Sequence, residues 1–331
     1  MSSNIALISV GALAGLALAK DAQGSLSRAE EPDLGPDGSE EAPYSVTTSP
    51  SAKAFEGLSR GERGLVRGAI LYEGPSRFGG APIVAIMTYV SDNPKTGPIP
   101  QVFIFRSDEY PTTKSGFDKA VCGRCPLAGG KGCYVNLAPI LSMYGSLKDG
   151  RYSDWSHATW WLRRNQPRAI RVGAYGDPVA VPNAVWVRLA SIAPDVSLIS
   201  YTHQWPLAVA QPYKWFCMAS VDSPAEMRRA RSMGWRTFRA KLEEDELIEG
   251  QVICPATTDE DLTCLGCRAC SGVGVPGAPV APGARRPAGI VVDVHGNPRA
   301  LAAVKRTLKQ VREQEAKRQQ AKGVMTRQRS G

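Results

Sequence analysis

Seven of the eight cysteines fall in two short stretches, Cys122, Cys125 and Cys133 in CGRCPLAGGKGCYVN and Cys254, Cys264, Cys267 and Cys270 in CPATTDEDLTCLGCRACSG. This is metal-ligand spacing, and gathering the thiols onto metal constrains both loops before any core is considered. The first stretch offers three thiolates and no adjacent fourth ligand, which leaves a coordination position open for chemistry. The second offers four and closes its own site, as a structural centre or an electron relay does. Its C-x2-C-x2-C triplet, with a fourth cysteine ten residues upstream, has the dense spacing that grips a [4Fe–4S] cluster. Structural zinc instead draws together two separated C-x2-C pairs. The first stretch, C-x2-C-x7-C, suits a three-thiolate cluster or a zinc completed by a histidine from elsewhere.

A chain of 331 residues, 43% of them hydrophobic, supplies a core for one large α/β domain or two smaller ones. Its formal charge of +9 is unevenly placed. Residues 1–60 carry four Lys/Arg against eight Asp/Glu, and 299–331 carry ten against two. The basic end pairs with nucleic-acid phosphates or remains a solvated helix face. Residues 20–60 are rich in Pro, Gly, Ser and acid without periodicity, so 1–60 reads as a disordered acidic arm. The apolar run IALISVGALAGLALA lacks the preceding Lys or Arg of a signal peptide and is short for a membrane span. Paired thiols at metal spacing suit a reducing compartment, so a cytoplasmic protein without a membrane partner is expected.

Apolar β-type segments recur at 82–90, 101–106, 169–175, 196–203, 215–221, 235–240 and 251–254. Helical stretches at 155–164, 183–193 and 223–234 separate the later ones, and Ser223 with Pro224 and Glu226 forms a helix start. Alternation from about 150 to 254 predicts a parallel sheet with helical crossovers. Ligands of such sheets bind at the carboxyl ends of the strands. The residues there are Gly173, Tyr175, Gly176 and Asp177, then His203 and Gln204, then Asp222, and finally Cys254. Each alone is also ordinary turn or cap chemistry; as a set along one edge they predict a site. A final short strand near 289–294 precedes Leu301, Val304, Leu308 and Val311, the apolar face of a closing helix that turns polar beyond Glu315.

Of the three histidines, His203 is the ligand or acid–base candidate, His157 lies among Trp155, Trp160 and Trp161 as packing, and His295 sits in a turn. Cys217 is flanked by apolar residues and reads as a buried thiol. The tryptophans pack a helix or stack on bases.

The elements CxxCP…GCYVN, RVGAYGDP, SYTHQW, GWRTFR and CPA…CxxCxxCxG followed by HG resemble, over about 82–298, a phage-encoded family of unassigned function named after a mycobacteriophage gene product. More distantly, the GCY element followed by βα units is similar to phage proteins related to the radical SAM superfamily, although that superfamily's C-x3-C-x2-C spacing differs from the one here. The resemblance implies a partial TIM-like (βα)6 barrel in the cytoplasm of an infected host. Cys122, Cys125 and Cys133 would hold a [4Fe–4S] cluster that binds S-adenosylmethionine, and the later quartet an auxiliary cluster. Asp177 and His203 would be catalytic, with Tyr134, Gly173, Tyr175, Gly176 and Gln204 contacting cofactor or an unidentified substrate. The corresponding organisation is an arm (1–60), a barrel-like domain (61–254), a Cys-rich extension (255–298) and a helix with a basic tail (299–331). The alternative is a zinc-stabilised nucleic-acid-binding protein without catalysis.

Overall fold

The computed structural model describes residues 68–329, apart from residues 92, 112–118, 130, 134, 275–287 and 295–297. The N-terminal arm, Tyr134 and His295 therefore lie outside the described residues. The described chain opens with an antiparallel meander, β1 (Gly68–Pro75), β2 (Pro82–Thr88) and β3 (Gln101–Arg106). β1 is an element that the sequence pattern does not announce. Gly68, Gly74 and Pro75 weaken its signal, and a register shift between Ile70 and Tyr72 interrupts its alternation.

Six further strands join in parallel: β4 (Ala169–Tyr175), β5 (Ser197–Thr202), β6 (Met218–Val221), β7 (Thr237–Lys241), β8 (Gln251–Ile253) and β9 (Gly289–Asp293). The strand order is β1-β2-β3-β4-β5-β6-β7-β9-β8. The fold is mixed α/β with a mostly parallel, open sheet whose edges are β1 and β8; it does not close into a barrel. Both flanks of the second cysteine stretch belong to this sheet, since β8 runs into Cys254 and β9 returns to pair with β7 and β8. The helices are α1 (Lys119–Cys122), α2 (Ala138–Lys148), α3 (Trp155–Asn165), α4 (Asn183–Ile192), α5 (Pro224–Ser232), α6 (Pro255–Thr258), α7 (Cys264–Cys267) and α8 (Pro298–Arg329). Asp154 caps α3 through Ser156 N, and Ser223 caps α5 through Glu226 N with Pro224 at its first position. None of these helices is long and apolar enough to cross a membrane.

Strand alternation sorts the core into two layers. Ile170 and Val172 of β4, Leu198 of β5 and Ala219 and Val221 of β6 pack in one layer with Leu162 of α3 and Trp186 of α4. Their neighbours along the strands, Ala169, Ile199 and Met218, join Ile290 of β9 in the other layer, where the partners are Cys267, Ala269 and Cys270. The cysteine segment thus covers sheet surface that would otherwise need a helix or a second sheet. A third small cluster joins Leu127 of the first cysteine stretch to Leu242 and to Val304 and Leu308 of α8, so α8 closes onto that loop.

Leu308 is fully buried, so Leu308→Ala is expected to destabilise the fold by about 2–5 kcal/mol, read by denaturant unfolding. Removing the residues after Lys317 leaves the anchors of α8 at Val304, Leu308 and Arg312 in place, and the melting temperature is expected to stay nearly unchanged.

Candidate metal centre

The first thiolate loop begins where α1 ends. Cys122 closes the helix, Cys125 N donates to Cys122 O at 3.0 Å, and Cys133 N donates to Leu127 O at 3.0 Å, which folds the third cysteine back onto the loop. Gly123 between the first two has φ +54°, and a Cβ there would lie 2.7 Å from Gln204 Oε1. The sequence C-G-x-C therefore answers both to the left-handed backbone and to the close approach of Gln204. The buried Gln204 amide holds the loop from two sides: Nε2 donates to Cys122 O at 3.0 Å, and Oε1 accepts from Arg124 N at 3.1 Å. Asp177 N donates to Val121 O at 2.6 Å. The loop is thereby fastened to the carboxyl ends of β4 and β5. From the outside, α8 presses on it, with Thr307 Oγ1 donating to Lys131 O at 2.5 Å. A Cβ at Gly132, whose φ is +124°, would lie 2.8 Å from Val304 N. Cys122 and Cys125 are half-buried and Cys133 is exposed.

The residues expected to line the β4 edge are engaged within the protein. The Asp177 carboxylate accepts from Thr202 Oγ1 at 2.8 and 2.9 Å, Val179 N at 3.0 Å, His203 N at 3.1 Å and Gln204 Nε2 at 3.3 Å. Burial raises its pKa above the ordinary carboxylate value, and these donors only partly offset that effect. A Cβ at Gly173 would lie 2.8 Å from Gly176 O, and one at Gly176 would lie 2.5 Å from Ile104 O, so both glycines serve a tight internal turn at positive φ. Tyr175 packs in the main core.

His203 is the predicted residue that meets a thiol. Its Nε2 stands 3.3 Å from Asp222 Oδ2, close enough for ion pairing but not aligned as a hydrogen bond, and its ring also interacts with Cys125. Burial disfavours the charged ring, but the Cys125 thiolate and the Asp222 carboxylate outweigh it and hold the pKa well above the ordinary histidine value. Asp222 N donates to Glu226 Oε2 at 2.8 Å, and Ser223 Oγ is bonded to Glu315 of α8. Arg312 of α8 grips Asp245 with two bonds of 2.6 Å and donates to Asp222 O at 3.0 Å. Glu226, Glu315, Asp245 and Arg312 are absent from the sequence reading of the site. Only the Ser223-x-x-Glu226 capping pattern marks any of them beforehand.

The second quartet lies against the other sheet layer. Cys264 N and Leu265 N donate to Lys95 O and Thr96 O, both at 3.1 Å, and Ser200 N donates to Cys270 O at 3.1 Å. The buried Arg236 guanidinium donates to the carbonyls of Ala269 at 3.0 Å and of Ser271. Burial pushes the Cys270 thiol up to about 12, and the charges of Cys254, Cys264 and Cys267 act in the same direction. Burial likewise raises Cys254 and Cys264, while Lys95 and Arg171 respectively oppose the shift. The four sulfurs are thus close enough to perturb one another. Buried thiols of this kind ionise when a metal binds and draws off their protons. Among the described residues, no three His, Cys, Asp or Glu side chains converge as a single-ion site. Cys217 is buried apart from both groups, its Sγ 3.3 Å from Ser200 Oγ.

β5 links the two groups. Tyr201 is hydrogen-bonded to Cys270, and His203, two residues on, interacts with Cys125. β5 ends at Thr202 and His203 directly follows it, so the thiolate groups that are far apart in sequence address positions two residues apart at one strand end. No known protein family, curated protein or solved structure matches the chain.

The Glu226 carboxyl is raised from 4.5 to about 7 by burial and by the charges of Asp222 and Glu315. Its folded value lies above the unfolded one, so its contribution to stability is fully present below pH 4.5 and is lost as pH rises through 7. The loss amounts to about 3 kcal/mol at most. Glu226→Gln is expected to flatten the decline in unfolding free energy between pH 4.5 and 8, and to be more stable than the parent at pH 8.

Proposed function

We propose that this chain is an iron–sulfur protein on a radical SAM-like half-barrel, with a reactive cluster on Cys122, Cys125 and Cys133 and a second cluster on Cys254, Cys264, Cys267 and Cys270. The observation that carries the reading is the seat of the first loop. Gln204 and Asp177 fasten the segment from Val121 to Arg124, which holds Cys122 and leads into Cys125, to the carboxyl edge of parallel strands, the edge where open α/β sheets place their ligands. The finer description as a half-barrel is supported by strand order, since β3 to β7 follow one another without the reversal of a doubly wound sheet.

The donor sets fit iron–sulfur clusters, which are held by thiolates and supply one-electron chemistry. Around the first centre, His203 places a positive charge beside Cys125, and Asp222 orients the ring. Around the second, Arg171 and Lys95 offset the charge of the thiolates, and Tyr201 donates a hydrogen bond to Cys270. Such outer contacts tune a cluster's potential. S-adenosylmethionine at an open iron would supply radical chemistry. The contacts foreseen for it at Gly173, Tyr175 and Gly176 do not fit, because those groups are already packed against protein.

A second reading is favoured by one contact. A carboxylate against one side of an imidazole is how proteins orient a metal-ligating histidine, and Asp222 stands so against His203. In that reading His203 closes a Cys3His zinc site, and the protein is a zinc-stabilised binder.

Protein isolated anaerobically from iron-replete cells is expected to show the broad visible absorption of iron–sulfur clusters. The Cys264→Ala/Cys267→Ala variant is expected to lose the iron of the second centre and keep that of the first; zinc at both centres would overturn the reading. His203→Ala is expected to retain iron at the first centre, whereas loss of that metal from a folded variant makes His203 a ligand. A change in the electron paramagnetic resonance signal of the reduced protein on adding S-adenosylmethionine would show that the first centre keeps an open iron.

A further inference from the structure

The outer face of α3 carries chemistry that neither metal centre uses. Ser156, Thr159, Trp160, Arg163 and Arg164 line an open cavity of about 520 Å³. Trp160 is 38% exposed, unusual for so large an apolar side chain. Its indole is tilted by 41° to the buried His157 ring with centroids 5.3 Å apart, and the Arg164 guanidinium lies over it at 6.0 Å from its centroid, so the ring is held in place at the surface. Among the described residues, no carboxylate pairs with Arg163 or Arg164. From 155 to 194 the sequence holds five arginines, no lysine and one acid, Asp177, which is buried. The nearest acid before this stretch, Asp154, is occupied in capping α3. The basic surface extends to α4, where Arg188 lies 4.3 Å over the Trp155 ring.

We infer that this face binds single-stranded nucleic acid, with one base stacked on Trp160 and the adjoining phosphates gripped by Arg163 and Arg164. An aromatic platform flanked by cations is how sequence-tolerant single-strand sites are built, because every base offers a π-face. Arginine's planar fork matches phosphate oxygens, which accounts for a stretch with arginine alone. The two arginines follow the tryptophan by one helical turn, about 5.4 Å along the axis, so a strand lying along α3 meets ring and guanidinium groups in succession. A paired duplex keeps its bases stacked on one another and offers none to the indole. The site is distinct from the basic C-terminal end and independent of what metal the cysteines hold.

The test is fluorescence anisotropy of the full chain with a labelled oligothymidylate and with a duplex of the same length, over a range of salt. The single strand is expected to bind more tightly than the duplex and to quench tryptophan emission. Trp160→Ala is expected to weaken single-strand binding roughly five- to a hundredfold. Arg163→Glu/Arg164→Glu is expected to abolish binding or lower the salt slope by about 1.4. Both changes are at exposed positions, and an unaltered melting temperature shows that the fold is kept. Truncation after Lys317 is expected to leave the effect of Trp160→Ala intact. Binding that survives both α3 variants and disappears with the truncation assigns nucleic acid to the tail and overturns the proposal. Equal affinity for duplex with no effect of Trp160→Ala, or no binding at low salt, also overturns it. So does binding that appears only when residues 1–60 are removed and is then insensitive to the α3 variants.

Discussion

The buried Gln204 amide is the contact on which the first centre depends, because it satisfies the backbone on both sides of Gly123 and spans from Cys122 to Arg124. A loop with three cysteines and several glycines has little apolar surface with which to order itself, so its geometry has to be imposed by hydrogen bonds from a rigid element. That element is the end of β5. Thr202, His203 and Gln204 are themselves held there by the Asp177 carboxylate, which gathers donors from all three. Asp177 thus positions the site through its neighbours, and the donors that face it partly offset the cost of burying its carboxyl group.

The opposite wall of the same loop is α8, and here the energetics are different in kind. Val304 and Leu308 supply apolar burial, whereas Arg312 and Glu315 tie the helix to Asp245, Asp222 and Ser223. The paired Arg312 and Asp245 form the strong, bidentate kind of contact, while Glu226 lies among like charges and is kept protonated to higher pH. The closing helix thus commits Val304, Thr307 and Leu308 to the thiolate loop and its next turns to Asp245, Asp222 and Ser223. The second quartet is organised by burial instead. It fills one layer of the sheet, and the backbone carbonyls around Cys270 are collected by Arg236. The thiols there are more deeply buried than those of the first loop, as suits a closed centre beside a more exposed one.

The end of β5 joins these two designs. Tyr201 lies in the strand and His203 directly follows it, so a single strand end presents a phenol to one cysteine group and an imidazole to the other. The helix bearing Trp160 covers the main core, whereas the second quartet lies against the other layer of the sheet.

By itself the sequence determined what is local. Cysteine spacing set the two ligand groups apart from the buried Cys217, apolar periodicity placed eight of the nine described strands and the helices α3, α4, α5 and α8 but not α2, and Ser223 with Pro224 marked the start of α5. Such features follow from periods of two and 3.6 residues and from capping chemistry, which act within a few positions. Only the tertiary structure decided which polar groups face inward. The glycines of the β4 edge read as cofactor contacts and its aspartate as catalytic, but the turn that they form is filled by Ile104, Pro178 and the donors of β5. The open sheet, the insertion of β9 beside β7, and the recruitment of Arg312 and Glu315 from 90 or more residues away likewise depend on which surfaces meet. Contacts of that sequence separation leave no periodic trace in a single chain; they exist only once the core has brought the elements together.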